Sequence, residues 1–483
     1  MQFTREINRL LIGLLVLFAV VTVAAAYWAI VGADTILLRE DNPRRVLAES
    51  SIVRGTIFDR GGEPLVTSER NAGGTVTRAY LHPSTYSALG YYSVRYGVGG
   101  AEAAYNAVLR GDDLALSPAE IAVNDLLHHP QQGSDIRLTL DLDIQDTVAA
   151  AMEGQTGAAV VLGVPGGNIL ALVSLPTYDP NTLDAEWDRL RAEAGNPFFN
   201  RVIQGRYQPG GTLQTPLMAA GLLFGVPLTQ TSSQATEPIV IDDLELGCAV
   251  RLPPIELTLR EAYAFACPQS FAALVESLGV EAITAPFDTF QLADAPTVAG
   301  FAVLPAPSAE GTPPPATTSS PVPMGGDNIL QTALGQGQLT VSPLSMAMMA
   351  AAIVNDGNAP QPYLLAQTRP PEGEWTDVRT VRPSIPLTTT NVARRLQDLM
   401  RNAIAVGAAQ NAGRPNIDIG GHAALAYSGD TSQAWFVGFA TFGGRTGAAV
   451  AIVLENSDDP GLAADIGGTA LAAAQAAIVG GQE

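Results

Sequence analysis

The first break in the alternation of polar and apolar positions is a run without charge from 10 to 31, LLIGLLVLFAVVTVAAAYWAIV. It is about as long as the ~20 residues a bilayer core requires. Tyr27 and Trp28 near its end are side chains that favour the membrane interface. The run predicts a membrane-crossing anchor over 10–33, preceded by a short cytoplasmic terminus, 1–9. A cleaved leader stays open as an alternative, because Ala24, Ala25 and Ala26 are small residues of the kind found at cleavage sites. The apolar run continues past them, which favours an uncleaved anchor. From 34 to about 113 the chain is polar and turn-rich. There RGTIFDRGGE (54–63) followed by PLVT reads as strand, tight turn and strand, and 101–109 as a short helix. At 136 the pattern changes: RLTLD is a strand, 142–152 an amphipathic helix, and GAAVVLGV (157–164), PGG and NILALVS (168–174) form a hairpin of buried strands. Helices are predicted over 214–224, within 257–278 and over 343–354, strands over 434–439 and 447–454, and an Ala-rich closing helix over 466–479. Strands flanking a helical block predict an α+β domain with a mainly antiparallel sheet over 136–483, after a separate N-terminal domain over 34–135. The Pro-, Ser- and Thr-rich run 304–323 has too little apolar surface to order itself and is expected to be a flexible surface insertion.

Composition narrows the chemistry. The 483 residues are enough for more than one domain, and 47% hydrophobic content removes disorder as the default. A formal net charge of −21 argues against a nucleic-acid partner, which would need basic patches, and against peripheral binding to anionic lipid. Every one of the 26 basic residues counted as Lys or Arg is arginine. Arginine stays protonated, so no side-chain amine of this chain can act as a base. Cys248 and Cys267 lack the spacing of a metal site, and no metal or cofactor is expected. They are either free thiols or, in an oxidising compartment, a disulfide; their spacing does not decide.

Six segments, in order, carry a family resemblance: RGTIFDRGGEPL (54–65), YGVGGAEAAYNAVLRG (96–111), IRLTLDLDIQ (136–145), GAAVVLGVPGGNILALVSLPTYDPN (157–181), GQGQLTVSPLSMA (335–347) and AWFVGFA (434–440). Together they resemble the bitopic class B penicillin-binding proteins, the transpeptidases that cross-link peptidoglycan. The resemblance implies one transmembrane helix, a pedestal-like N-terminal domain and the α+β serine acyltransferase fold with its helical subdomain. It also implies a cell-membrane protein, single-pass, most of it outside the cytoplasm, whose partner is a polytopic glycosyltransferase that polymerises glycan.

That family's chemistry rests on three motifs, S-x-x-K, S-x-N and K-T-G. The serine attacks at a helix N-terminus, and a lysine one turn later takes its proton. The third motif lies on an edge strand, and backbone N–H groups there and at the nucleophile form the oxyanion hole. Matched motif by motif, Gly211 stands at the serine position and Gln214 at the lysine position. Ala266 and Pro268 stand where the second serine and the asparagine belong, with Cys267 between them. Tyr427 replaces the third motif's lysine, Ser428 its threonine, and Gly429 is retained. The flanks match while the chemical positions do not. Glycine offers no nucleophile and glutamine no usable basicity, so the resemblance implies a pseudoenzyme with no catalytic residue. Thr212 and Thr215 beside the lost serine have no base near them in sequence, and Cys267 is expected to serve packing or the site wall. His422, five residues before Tyr427, is read as a surface or loop histidine rather than as a partner for Cys267. The leading expectation is a structural or regulatory subunit of cell-wall synthesis. The alternatives are a non-covalent binder of peptidoglycan stem peptide or β-lactam, and an active transpeptidase with unorthodox residues.

Overall fold

The computed structural model describes residues 2–30, 49–71, 75–114, 127, 130–241, 244–294, 296–301, 329–378, 383–444 and 446–480. The expected insertion at 304–323 lies outside them. The chain divides into two compact units, 1–53 with 69–77 and 117–131, and 54–68 with 78–116 and 132–483.

In the first unit, helix α1 (Gln2–Ile30) carries a span from Ile7 to Tyr27 that is long and apolar enough to cross a membrane, none of it buried. Within that span the Thr22 hydroxyl donates to the Phe18 carbonyl at 2.8 Å, which removes a bare polar group from the apolar surface.

The second unit contains, in chain order, α2 (Leu142–Ala151), α3 (Gln214–Leu223), α4 (Leu259–Ala264), α5 (Pro268–Leu278), α6 (Pro343–Val354), α7 (Thr390–Val406) and α8 (Pro460–Gly480) among its helices. Its main sheet is formed by β1 (Gly157–Val164), β2 (Ile169–Leu175), β3 (Asp418–Ser428), β4 (Thr431–Gly443) and β5 (Thr446–Glu455), in the order β3-β4-β5-β1-β2, each pair antiparallel. All eight residues of β1 are buried, because both faces of the sheet are covered. Ala158, Val160 and Leu162 join the core that contains α6, whereas Ala159 and Val161 join the one beneath α8. A strand covered on both sides needs apolar residues at every position, which is why GAAVVLGV shows no alternation. The same burial explains α8, which has the length and composition of a membrane span yet lies 44% buried on the sheet.

The helix expected over 101–109 is two short helices, Gly100–Ala104 and Asn106–Arg110, separated at Tyr105. The stretch 257–278 is likewise split into α4 and α5, where Ala266 takes a left-handed φ of 52°. Helix α7 went unpredicted although Val392, Leu396, Leu399, Met400 and Ala403 recur at helical spacing and are all buried. A smaller sheet joins distant parts of this unit. Ile57 and Phe58 run parallel to Ile136 and Arg137, and Asp135–Leu138 pairs in turn with Leu365–Arg369.

Candidate functional site

The positions matched to the three motifs come from four separate elements. Pro209 and Gly210 end the incoming loop, a 3-10 turn covers Gly210–Leu213, and α3 begins at Gln214. Gly210 has a φ of 51° and lies against the backbone of Leu425 and Ala426 in β3, where a side chain would collide. The Gly210 N–H donates to the Gly335 carbonyl at 3.1 Å, so the GQG segment packs on this same turn. Both glycines are required by close backbone approach, which accounts for their place in the pattern.

Gly211 faces the interior of the site. A Cβ on it would lie 2.9 Å from the Ala424 Cβ, 3.7 Å from the Gln214 Nε2 and 3.8 Å from the Ala266 Cβ. The first and second motif positions therefore meet around one point, and none of the described side chains nearest that point is a nucleophile or a base. Gln214 is buried, and its Oε1 has no hydrogen-bond partner. The neighbouring hydroxyls are committed elsewhere: Thr212 donates to the Pro209 carbonyl at 2.6 Å, and Thr215 shares a 3.0 Å hydrogen bond with the Tyr263 hydroxyl. Pro268 opens α5 at a position where its missing N–H costs nothing. Cys267, fully buried, is joined to Cys248 in a disulfide.

Gly211, Gln214, Ala266, Pro268 and Tyr427 all line one cavity of about 20 Å³, together with Leu246, Gly247 and Ala249 from the segment before α4. That volume admits about one water molecule. Tyr427 is half-buried; burial, and then the charge of Asp458, push its hydroxyl pKa up, so it is neutral. Ser428 and Gly429 do not join this group. They are exposed at the β3–β4 turn, where Gly429 has a φ of 60° and Thr431 donates to the Ser428 carbonyl at 2.8 Å. A larger apolar groove of about 590 Å³ lies between α3 and the segment leading into α7, and the described residues that line it include no titratable side chain.

These features coincide with a match over residues 157–477 to the family model described as penicillin binding protein transpeptidase domain. The chain belongs to the penicillin-binding protein transpeptidase family. Residues 54–136 match a second model, penicillin binding protein A dimerisation domain. The chain is 30% identical over 97% of its length to peptidoglycan D,D-transpeptidase PbpA of Mycolicibacterium smegmatis, covering 98% of that protein. Against the PbpA of Mycobacterium tuberculosis the identity is 29%, over 94% of each chain. The solved structure of penicillin-binding protein A from M. tuberculosis as an imipenem acyl-enzyme complex superposes with a TM-score of 0.77 at 29% identity, covering 89% of this chain and 99% of that one. A D,D-transpeptidase domain from Eggerthella lenta gives 0.73 at 25% identity, covering 89% and 99%.

One residue of the site differs from its sequence reading. His422 is not a surface or loop residue: it sits within β3 and is 1% exposed. Its ring stacks on Tyr263 at 4.3 Å, and its Nε2 lies 3.2 Å from the Gly211 carbonyl oxygen. A carbonyl only accepts, so Nε2 carries the proton and donates. His422 thus ties strand β3 to the serine position. The signal was present in the sequence as a single polar residue inside the run of small and apolar residues GGHAALA, but short runs do not show which face is covered.

Burial lowers the His422 pKa to about 4, against a smaller upward contribution from its bond to Gly211. The unfolded chain takes up this proton near the ordinary value of about 6.5, before the fold does. Stability is therefore expected to fall as pH drops from about 6.5 towards 4, by about 3 kcal/mol from this group, and to lose nothing further from it below that. Urea denaturation of the wild type and of His422→Gln across that range checks it. Equal slopes for the two proteins would refute the assignment.

Proposed function

We propose that this chain is a catalytically silent member of the peptidoglycan D,D-transpeptidase family, serving cell-wall synthesis as a structural or regulatory subunit. The supporting observation is the convergence of Gly211, Gln214 and Ala266 on one point that holds neither nucleophile nor base. The absence of lysine from the whole sequence removes the usual base by any other route. Losing a nucleophile and its base costs on the order of a millionfold in hydrolases where this has been measured. Non-covalent capture of a stem peptide or β-lactam is disfavoured by volume, since a cavity of about 20 Å³ is far below the roughly 300 Å³ of small-molecule sites. The test is intact-mass analysis after incubation with penicillin G, beside a family member that retains S-x-x-K. No adduct is expected here, and a mass increase of one penicillin would refute silence.

The subunit reading further assigns α1 as a single-pass anchor with the second unit outside the cytoplasm. The Cys248–Cys267 pair supports this placement, because disulfides persist in oxidising compartments. The partner we assign is a polytopic peptidoglycan glycosyltransferase, met through the anchor and the region 54–136. Full-length tagged protein, solubilised from membranes, is expected to co-purify such an enzyme. Recovery without any multi-span glycosyltransferase, under conditions that preserve the complex of an active relative, would remove that partner.

A further inference from the structure

We propose that the Cys248–Cys267 disulfide is a redox latch, holding segment 244–249 as a strap across the cleft. The inference stands whether the cleft is silent or reactive, and so goes beyond the function proposed above. The bond joins the two sides of the cavity. Cys267 lies between Ala266 and Pro268, which form one wall, and Cys248 lies between Gly247 and Ala249, which form the cover.

Besides the bond, the strap meets that wall through apolar contacts, Cys248 packing beside Ala262 and Phe265. Among the described residues its backbone tie there is the Ala249 N–H, which donates to the Phe265 carbonyl at 3.0 Å. Leu246 is buried in the main core and Ile239, Ile241 and Leu244 pack against it, whereas the pairing of Ile239–Ile241 with Leu244–Leu246 is internal to the hairpin. Within the segment Glu245 and Gly247 are exposed to solvent. A surface segment lying against a cavity, with one backbone hydrogen bond and small apolar contacts to the facing wall, opens more readily once its covalent tie is removed.

The chemistry balances with a dithiol as reductant. Cys248 is partly exposed whereas Cys267 is buried, so the attacking thiolate reaches the bridge from the Cys248 side. It forms a mixed disulfide with Cys248, and Cys267 leaves as a thiolate and is protonated. The second thiol of the reductant then closes its own disulfide and releases Cys248. The dithiol loses two electrons and two protons, and the bridge gains them as two thiols.

The test is hydrogen–deuterium exchange of the full-length protein in detergent, with and without dithiothreitol, with the reduced thiols counted by alkylation. Exchange in 244–249 and at Phe265 to Cys267 is expected to rise on the order of a hundredfold on reduction, while α6 and β4 stay protected. Cys248→Ala should show the same pattern without reductant. If that variant does not fold, the reduced wild type still decides. Complete alkylation with unchanged exchange in the strap would overturn the latch, as would a uniform rise throughout the second unit, which would make the bond a support for the whole fold. A penicillin adduct that appears only after reduction would sustain the latch and refute catalytic silence, so the two proposals fail separately.

Discussion

Gly211→Ser is expected to remain unlabelled by penicillin G and to be less stable than the parent. The new hydroxyl would point towards Gln214, whose amide cannot take its proton. The imidazole of His422 lies behind this turn, but its Nε2 already donates to the Gly211 carbonyl and its Nδ1 is buried without a partner. With its pKa near 4, the ring is a poor proton acceptor in any case. The steric cost is local, because the added Cβ would lie 2.9 Å from the Ala424 Cβ, closer than two carbons can pack. Overpacking of this kind costs about 1–3 kcal/mol. Chemical denaturation reads the loss, and Ala424→Gly in the same chain should recover part of it. Intact mass reads the reactivity, where the expected deficit against an active relative is about a millionfold. Stoichiometric acylation of the serine variant would mean that a base exists which this site does not reveal.

Replacing Glu102 with glutamine is expected to cost about 3–5 kcal/mol of stability. Glu102 is fully buried, with Arg54 Nη2 at 2.6 Å from one carboxylate oxygen and Arg78 Nε at 2.7 Å from the other. The amide would leave two buried guanidiniums without their counter-charge, which is worse than removing the whole group. Burial pushes the Glu102 pKa up, but Arg78 and Arg54 outweigh it and hold the carboxyl below its ordinary value. Its contribution is therefore present above the unfolded-state value of about 4.3, and is lost as pH falls through the lower folded value. Urea midpoints at pH 7 test the substitution. An unchanged midpoint would show that the triad is neutral to stability.

The triad also shows how far the sequence reached. Arg54 opens RGTIFDRGGEPL, and Glu102 lies in YGVGGAEAAYNAVLRG. Each segment was recognisable, but nothing in either says that the two close on one another. The main elements were readable from pattern alone. The buried hairpin of β1 and β2 announces itself as apolar runs around a Pro-Gly-Gly turn, and α6 occupies the span read from PLSMAMMAAAIV. Helix α7 is also periodic, with its buried residues at helical spacing, but it lies in a polar stretch without a motif. Helix α8 has the length and apolar composition of a membrane span, but it is less hydropathic than α1 and packs on the sheet.

The site divides the same way. Sequence determined which residue types stand at the motif positions, and therefore what chemistry is missing, because the capacity to attack or to take a proton belongs to the side chain itself. Only the tertiary structure decided that Gly211, Gln214, Ala266, Pro268 and Tyr427 share one small cavity while Ser428 and Gly429 turn away into solvent. It also decided that His422 is interior and that the two cysteines are bonded. Burial and pairing depend on which surfaces distant segments bring together. β3 meets the turn before α3 across some two hundred residues of chain, and no local periodicity encodes a contact of that range.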